Sequence, residues 1–321
     1  MCTWESTPVM RSRAGRILGH LALLAAAAGL ATAVQAETLI RFQPPESEDD
    51  QRDDYVIQVL ELALEQTRDD FGPASLHQIG LRMTQDRAVR EMRNGRYIDV
   101  LWMMTSAERE DELIPVRIPL AGGLLGVRVP VVRGGDTQFF ATVREVSDLR
   151  PYVAGQGHDW PDTRVLRHNG LEVMTATGYH SLFRMLERGR FDYLPRSIME
   201  LTAEQPLYER FGLQPHKDLL LVYHAPNYFF VSRDHEALAL RLETGLERAI
   251  DDGSLQELMR EHPATRDALA FLETEQPRLV PLDNPVLPEH TPTERRELWV
   301  DALFDAMRQH QHEYAIPRDA R

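Results

Sequence analysis

The chain has 321 residues, with 50 Asp and Glu against 36 Lys and Arg and a net charge of −14, a balance that disfavours nucleic acid and anionic membrane surfaces as partners. Its single cysteine is Cys2, so loss of the N-terminus leaves no thiol for disulfides, thiol catalysis or cysteine-ligated metal. Lys217 is the one lysine, the only candidate for Schiff-base chemistry.

Residues 1–36 read as a cleaved signal peptide. Arg11, Arg13 and Arg16 form a positive start, Ile17 to Leu30 is apolar apart from His20, and Val34-Gln35-Ala36 is a small-residue cleavage site. The apolar stretch is too short to span a bilayer comfortably, and no Leu-x-x-Cys lipidation pattern precedes the cleavage point. Met10 offers a second possible start. The expected product is a periplasmic protein beginning near Glu37. Its charge is −16, because the leader carries three Arg and one Glu.

Thr38 to Phe42 predicts a first strand, stopped by Pro44-Pro45. After the acidic run Glu46 to Asp54 comes a helix with Tyr55, Val56, Val59, Leu60 and Ala63 on one face. A second helix is expected from Thr84 to Arg93, ending at Asn94-Gly95, and then an apolar strand from Ile98 to Met103. Further on, strands at Pro151–Ala154, Leu171–Met174 and Phe191–Leu194 alternate with helices at Asp162–Arg167 and Ser181–Arg188, a βαβαβ unit with a parallel sheet. Leu124 to Arg133 and Tyr223 to Val231 read as two extended chain crossings between lobes. A long amphipathic helix, His235 to Asp252, places Leu238, Leu242, Leu246 and Ile250 four apart and ends at Gly253. The tail is Pro-rich from Pro277 and predicted helical from Pro292 to His310, with Leu298, Ala302 and Phe304 packing inward.

Thr105-Ser106-Ala107-Glu108-Arg109, directly after the apolar strand, resembles the Thr-x-x-x-Arg step of family 3 periplasmic solute-binding proteins. Ile118-Pro119-Leu120, Ser147-Asp148-Leu149 before Ala154-Gly155-Gln156-Gly157, Leu186 to Asp192, and Ser232-Arg233-Asp234 to Gly253-Ser254 follow the family's order and spacing. The resemblance covers roughly residues 38 to 262. It implies an α/β fold, the two-lobed type 2 periplasmic-binding clamshell joined by two extended hinge crossings. Lobe one would comprise residues 37–123 and 232–285, lobe two residues 124–231, and residues 286–321 a helical tail on lobe one.

The resemblance also implies a role. The chain would be a monomeric receptor without cofactor or turnover, closing on a small anionic or zwitterionic solute and presenting it to a membrane permease or a sensor kinase. Arg109 would hold a ligand carboxylate, as a guanidinium fork does bidentately, and Thr105 would add a hydroxyl. Pro195-Arg196 stands where the family has an acidic residue for an amino group, so Arg196 is expected to repel an ammonium and favour a second anionic group.

Ligands of parallel sheets sit beyond the carboxyl ends of the strands. That rule adds Gln43, Glu46, Asp159, Trp160 and Tyr193 as candidate ligand-binding residues. Gly155-Gln156-Gly157 reads either as a backbone nest for an anion or as a tight turn. His158 beside Asp159 reads as structural polarity, and His310-Gln311-His312 as a solvated tail. Two competing readings are an enzyme on the same fold resembling a cyclohexadienyl dehydratase, with Glu46 or Asp159 protonating a leaving group, and an assembly factor that has lost the site.

Overall fold

The computed structural model describes Met1 and residues 37–45, 52–136, 138, 140–275 and 277–315, with side chains to His310. The expected leader and Glu46 lie outside the described residues. In chain order the strands are β1 Thr38–Phe42, β2 Ala74–Gln78, β3 Leu101–Met104, β4 Ile114–Val116, β5 Val127–Arg133, β6 Val153–Gly157, β7 Glu172–Ala176, β8 Leu194–Ser197, β9 Leu213–Pro215, β10 Leu219–Val222, β11 Asn227–Val231 and β12 Arg278–Pro281. The helices are α1 Asp54–Glu65, α2 Arg68–Phe71, α3 Gln85–Arg93, α4 Ala107–Glu112, α5 Asp162–His168, α6 Tyr179–Glu187, α7 Leu201–Phe211, α8 Glu236–Asp251, α9 Ser254–Glu261, α10 Pro263–Thr274 and α11 Asp301–Ala315. Among the described residues no helix is long and apolar enough to cross a membrane.

Lobe one is built on β1 paired parallel with β2, and on β3, β11 and β4 paired antiparallel. Asp99 N–H donates to the Arg41 carbonyl (2.8 Å), and the Arg41 guanidinium grips the Asp99 carboxylate (2.7 and 2.8 Å), which ties the two pieces together. Side chains alternate across these strands. Leu101, Met103, Tyr228 and Phe230 enter a core with Met92 of α3, whereas Val100, Phe229 and Val231 enter the main core with Val59 of α1 and Leu242 of α8. The layer is therefore helix, sheet, helix, and β3 is buried on both faces, as its apolar run predicts.

Lobe two contains β6 and β7, parallel as the βαβαβ pattern requires, and a second sheet in the order β12-β10-β5-β8, with β9 on β5. Ala154 bridges to Tyr193 in parallel, after which the chain runs on as β8 against β5. The third strand thus lies three residues later than expected, and β6 two residues later. The shift matters at Gly155-Gln156-Gly157, which forms extended strand rather than a nest or turn. A Cβ on Gly155 would lie 2.2 Å from the Phe191 ring and one on Gly157 2.4 Å from the Trp160 indole, so aromatic packing explains both glycines.

The two crossings meet where Tyr223 N–H donates to the Gly126 carbonyl (3.1 Å). Beyond α10, β12 pairs parallel with β10, although that stretch falls in the range expected for lobe one. Pro292 to Val300 is a turn with a 3₁₀ segment rather than helix. In α11, Leu303, Phe304 and Met307 pack inward while Ala302 is exposed. The same helix face places His310 under cover, 3.2 Å from Asp283, so His310 is not part of a solvated tail.

Candidate functional site

Where the lobes face each other, a cavity of about 160 Å³ is lined from lobe one by Gln43, Asp53, Gln85, Trp102 and Met104, from the crossings by Arg128 and Asn227, and from lobe two by Trp160, Asp162, Arg196 and Glu200. Arg52 lines it as well. Gln43 and Met104 lie at or just beyond the carboxyl ends of β1 and β3, as the parallel-sheet rule requires, whereas Arg128 and Asn227 stand at the starts of β5 and β11 and Asp53 and Gln85 at the starts of α1 and α3. Trp102 donates its indole N–H to Asp53 (2.8 Å) and stands 5.5 Å from the Phe42 ring. The Arg196 guanidinium lies 5.1 Å over the Trp160 ring.

The charges of the cavity are matched within the protein. Arg196, 1% exposed, binds Glu204 through Nε and Nη2 (3.0 and 2.6 Å) and Glu200 at 2.8 Å. Tyr179 and Tyr208 each donate to Glu204 at 2.7 Å. Arg128 donates to Asp162 (2.5 Å) and to the Tyr223 hydroxyl (2.9 Å), which in turn donates to Asp162. Burial would raise the Glu200 pKa, but the charges of Arg196, Arg52 and Arg128 and the Ser197 N–H outweigh it and hold the carboxyl below the usual range. The expectation that Arg196 presents positive charge to a solute is therefore corrected: the buried Glu204 and the partly buried Glu200 neutralise it.

The remaining candidates fall in different places. Arg109 is buried and lines a flanking groove beside the cavity, together with Asp159 and Trp160. It donates to the Met104 carbonyl (2.7 Å), to Gln85 Oε1 (2.7 Å) and to the Asp159 carbonyl (3.3 Å). Burial lowers its pKa to about 10. These bonds link the lobes rather than present a fork to the cavity. Thr105 is fully buried and donates to Glu110 (2.7 Å). Tyr193 points into the lobe-two core, 5.4 Å from the Phe140 ring, because strand alternation turns it away from the face that carries Arg196. Asp159 accepts from Asp86 N–H (3.4 Å) and lies 3.5 Å from His158 Nδ1. Of the candidates, Gln43, Trp160 and Arg196 line the cavity.

Sequence reasoning passed over Arg128, Asp162, Trp102, Glu200 and Asn227. Glu200 and Glu204 follow Arg196 by four and eight residues, a spacing that could have flagged the buried network; Arg128 and Asp162 are 34 residues apart and left no local signal. The buried oxygens Gln43 Oε1 and Asn227 Oδ1, both on cavity-lining side chains, have no protein partner.

Further bonds join the lobes. Arg52 pairs with Glu200 across the cavity (3.3 Å) and lies 4.1 Å over the Tyr179 ring. On the surface, Arg164 of α5 holds Glu108 of α4 bidentately (2.5 and 2.9 Å). The Arg164 hydrogen bond lowers the Glu108 pKa from 4.5 to about 2. A carboxyl depressed by folding contributes stability above its unfolded pKa and loses it as pH falls through the folded value. The link therefore weakens from pH 4.5 down towards 2 and, being exposed, contributes less than about 1 kcal/mol. Acid titration of stability should be shallower over that window in Glu108→Gln than in the parent chain.

No protein-family model and no curated protein matches the sequence. Solved structures do share the fold. An ancestral arginine-binding protein bound to arginine is 17% identical with a TM-score of 0.51, over 70% of this chain and 97% of its own. A Salmonella typhimurium periplasmic binding protein of high arginine specificity is 15% identical at 0.51, over 70% and 98%. A Silicibacter pomeroyi periplasmic His/Glu/Gln/Arg/opine family-binding protein in complex with lysine is 11% identical at 0.50, over 69% and 95%. The chain thus has the type 2 periplasmic-binding fold, the two-lobed clamshell shared by amino-acid-binding periplasmic proteins.

Proposed function

We propose that the chain is a periplasmic solute-binding protein that encloses one small zwitterionic or neutral polar solute between its lobes. One observation carries this reading: the interlobe cavity is lined by three arginines, three carboxylates and two indoles, with unmet hydrogen-bonding capacity at Gln43 and Asn227. A cavity of 160 Å³ holds about 11–16 water-sized groups at about 10–15 Å³ each, the scale of an amino acid. Matched charge favours a zwitterion over a bare anion, since an added negative group would face Asp53, Asp162 and Glu200. The indoles of Trp102 and Trp160 supply apolar or cation-binding faces.

Binding without turnover fits the carboxylates. A general acid needs a raised pKa, whereas Glu200 is held ionised by arginines. The partner receiving the solute-loaded form is a membrane permease or a sensor kinase. A thermal-shift screen of small zwitterions and polar neutral solutes tests the reading, because a ligand at 100 times its Kd stabilises the folded chain by about 2.7 kcal/mol. The expected result is at least one solute that raises the unfolding midpoint and is recovered unchanged. Absence of any such solute, or its chemical conversion, overturns the proposal.

A further inference from the structure

The segment after α10 crosses between the lobes a third time, beside the two hinge crossings. On lobe two, β12 pairs with β10, and Asn169, at the end of α5, exchanges two hydrogen bonds with the Asp283 backbone (2.8 and 3.0 Å). Asn284 then donates to the His224 carbonyl in the second crossing (2.7 Å), and the Val286 carbonyl accepts from Ala107 N–H at the start of α4 (3.3 Å). On lobe one, Arg295 grips Glu247 of α8 bidentately (2.7 and 2.9 Å), and Val300 N–H donates to the Gly122 carbonyl (2.9 Å).

Trp299 sits at the centre of this strap. Its indole packs against Gly123, where a Cβ would come within 2.7 Å of the ring and φ is +83°. Gly123 leads directly into the first crossing. The same indole meets the His224 ring edge-on at 5.1 Å, in the second crossing, and its N–H donates to the Pro292 carbonyl (3.0 Å). One side chain thus wedges against both strands about which the lobes would turn. Burial lowers the His224 pKa to about 4, so this wedge stays uncharged over the neutral range.

We infer that Trp299 is a hinge-positioning residue and that residues 278–310 form a clamp fixing the angle between the lobes. The inference rests on the solute-binding reading for its purpose, since a preset angle holds the cavity walls in place and lowers the ordering cost of binding. Hinge closure elsewhere depends on a few residues that absorb backbone change; here packed side chains and backbone bonds immobilise those residues.

The test uses spin labels on cysteines placed at the exposed positions Glu61 and Arg188, one on each lobe, in a chain carrying Cys2→Ser. Pulsed dipolar spectroscopy on the protein alone should give one narrow separation. Trp299→Ala should broaden it and shift it to longer values, and Trp299→Phe should restore much of the narrow form. Asn169→Ala cuts the lobe-two anchor and should broaden the distribution even if Trp299→Ala fails to fold. A broad distribution in the parent chain, or an unchanged one in the folded variants, overturns the clamp. A fruitless solute search leaves this measurement standing.

Discussion

Glu204→Ala should lower the free energy of unfolding by about 3 kcal/mol, the lower end of the cost of breaking a buried ion pair, because Arg196 keeps Glu200 at 2.8 Å. Glu204 and Arg196 are each 1% exposed, and Glu204 also accepts from Tyr179 and Tyr208. Removing the carboxylate takes one of two partners from the Arg196 guanidinium and leaves two phenols without their acceptor in a low-dielectric interior. The double variant Arg196→Met/Glu204→Leu removes both charges and should recover part of the loss, because an apolar pair of similar size avoids the desolvation penalty. Urea unfolding measures both. A single variant as stable as the parent would mean that the network is solvated and that Arg196 remains available to a solute.

Gly126→Ala should be nearly as damaging and should disable the site as well. A Cβ there would fall 2.0 Å from the Tyr223 carbonyl oxygen, a backbone atom that cannot rotate away. The two crossings would have to separate, at about 3 kcal/mol, the upper end for overpacking. Tyr223 would move with them, and its hydroxyl orders both Arg128 and Asp162 on the cavity wall. The expected outcome is a lower urea midpoint together with lost response to whichever solute the thermal screen identifies. Full solute response in a destabilised variant would separate hinge packing from the site.

The strong periodic elements were legible from sequence. The face of α1 carrying Tyr55, Val56, Val59 and Leu60, and the four-residue spacing of Leu242 and Leu246 in α8, lie where the pattern puts them, because helical period and burial agree. Short strands such as β2, β9, β10 and β12 escaped notice; three to five residues carry too little pattern, and their pairing comes from distant chain. The site was harder to read for the same reason. A rule about strand ends found Gln43 and Trp160 and the family pattern pointed to Arg196, but local sequence could not foresee that Glu200 and Glu204 cancel the charge of Arg196. Nor could it foresee that Arg109 is turned to the Asp159 carbonyl. Tyr193 was misplaced because alternation along the strand puts it on the face opposite Arg196, in the lobe-two core.

On the proposed reading a solute binds in the cavity lined by the two tryptophans. The direct measurement is calorimetric titration of the thermally identified solute into the parent chain, Trp102→Ala and Trp160→Ala, with circular dichroism to establish folding. If the claim holds, the parent binds one solute per chain and each folded variant weakens binding by roughly tenfold or more, the loss of about 1.4 kcal/mol or above from an aromatic contact. Equal affinity in all three chains would place the solute elsewhere and rule this cavity out as its site.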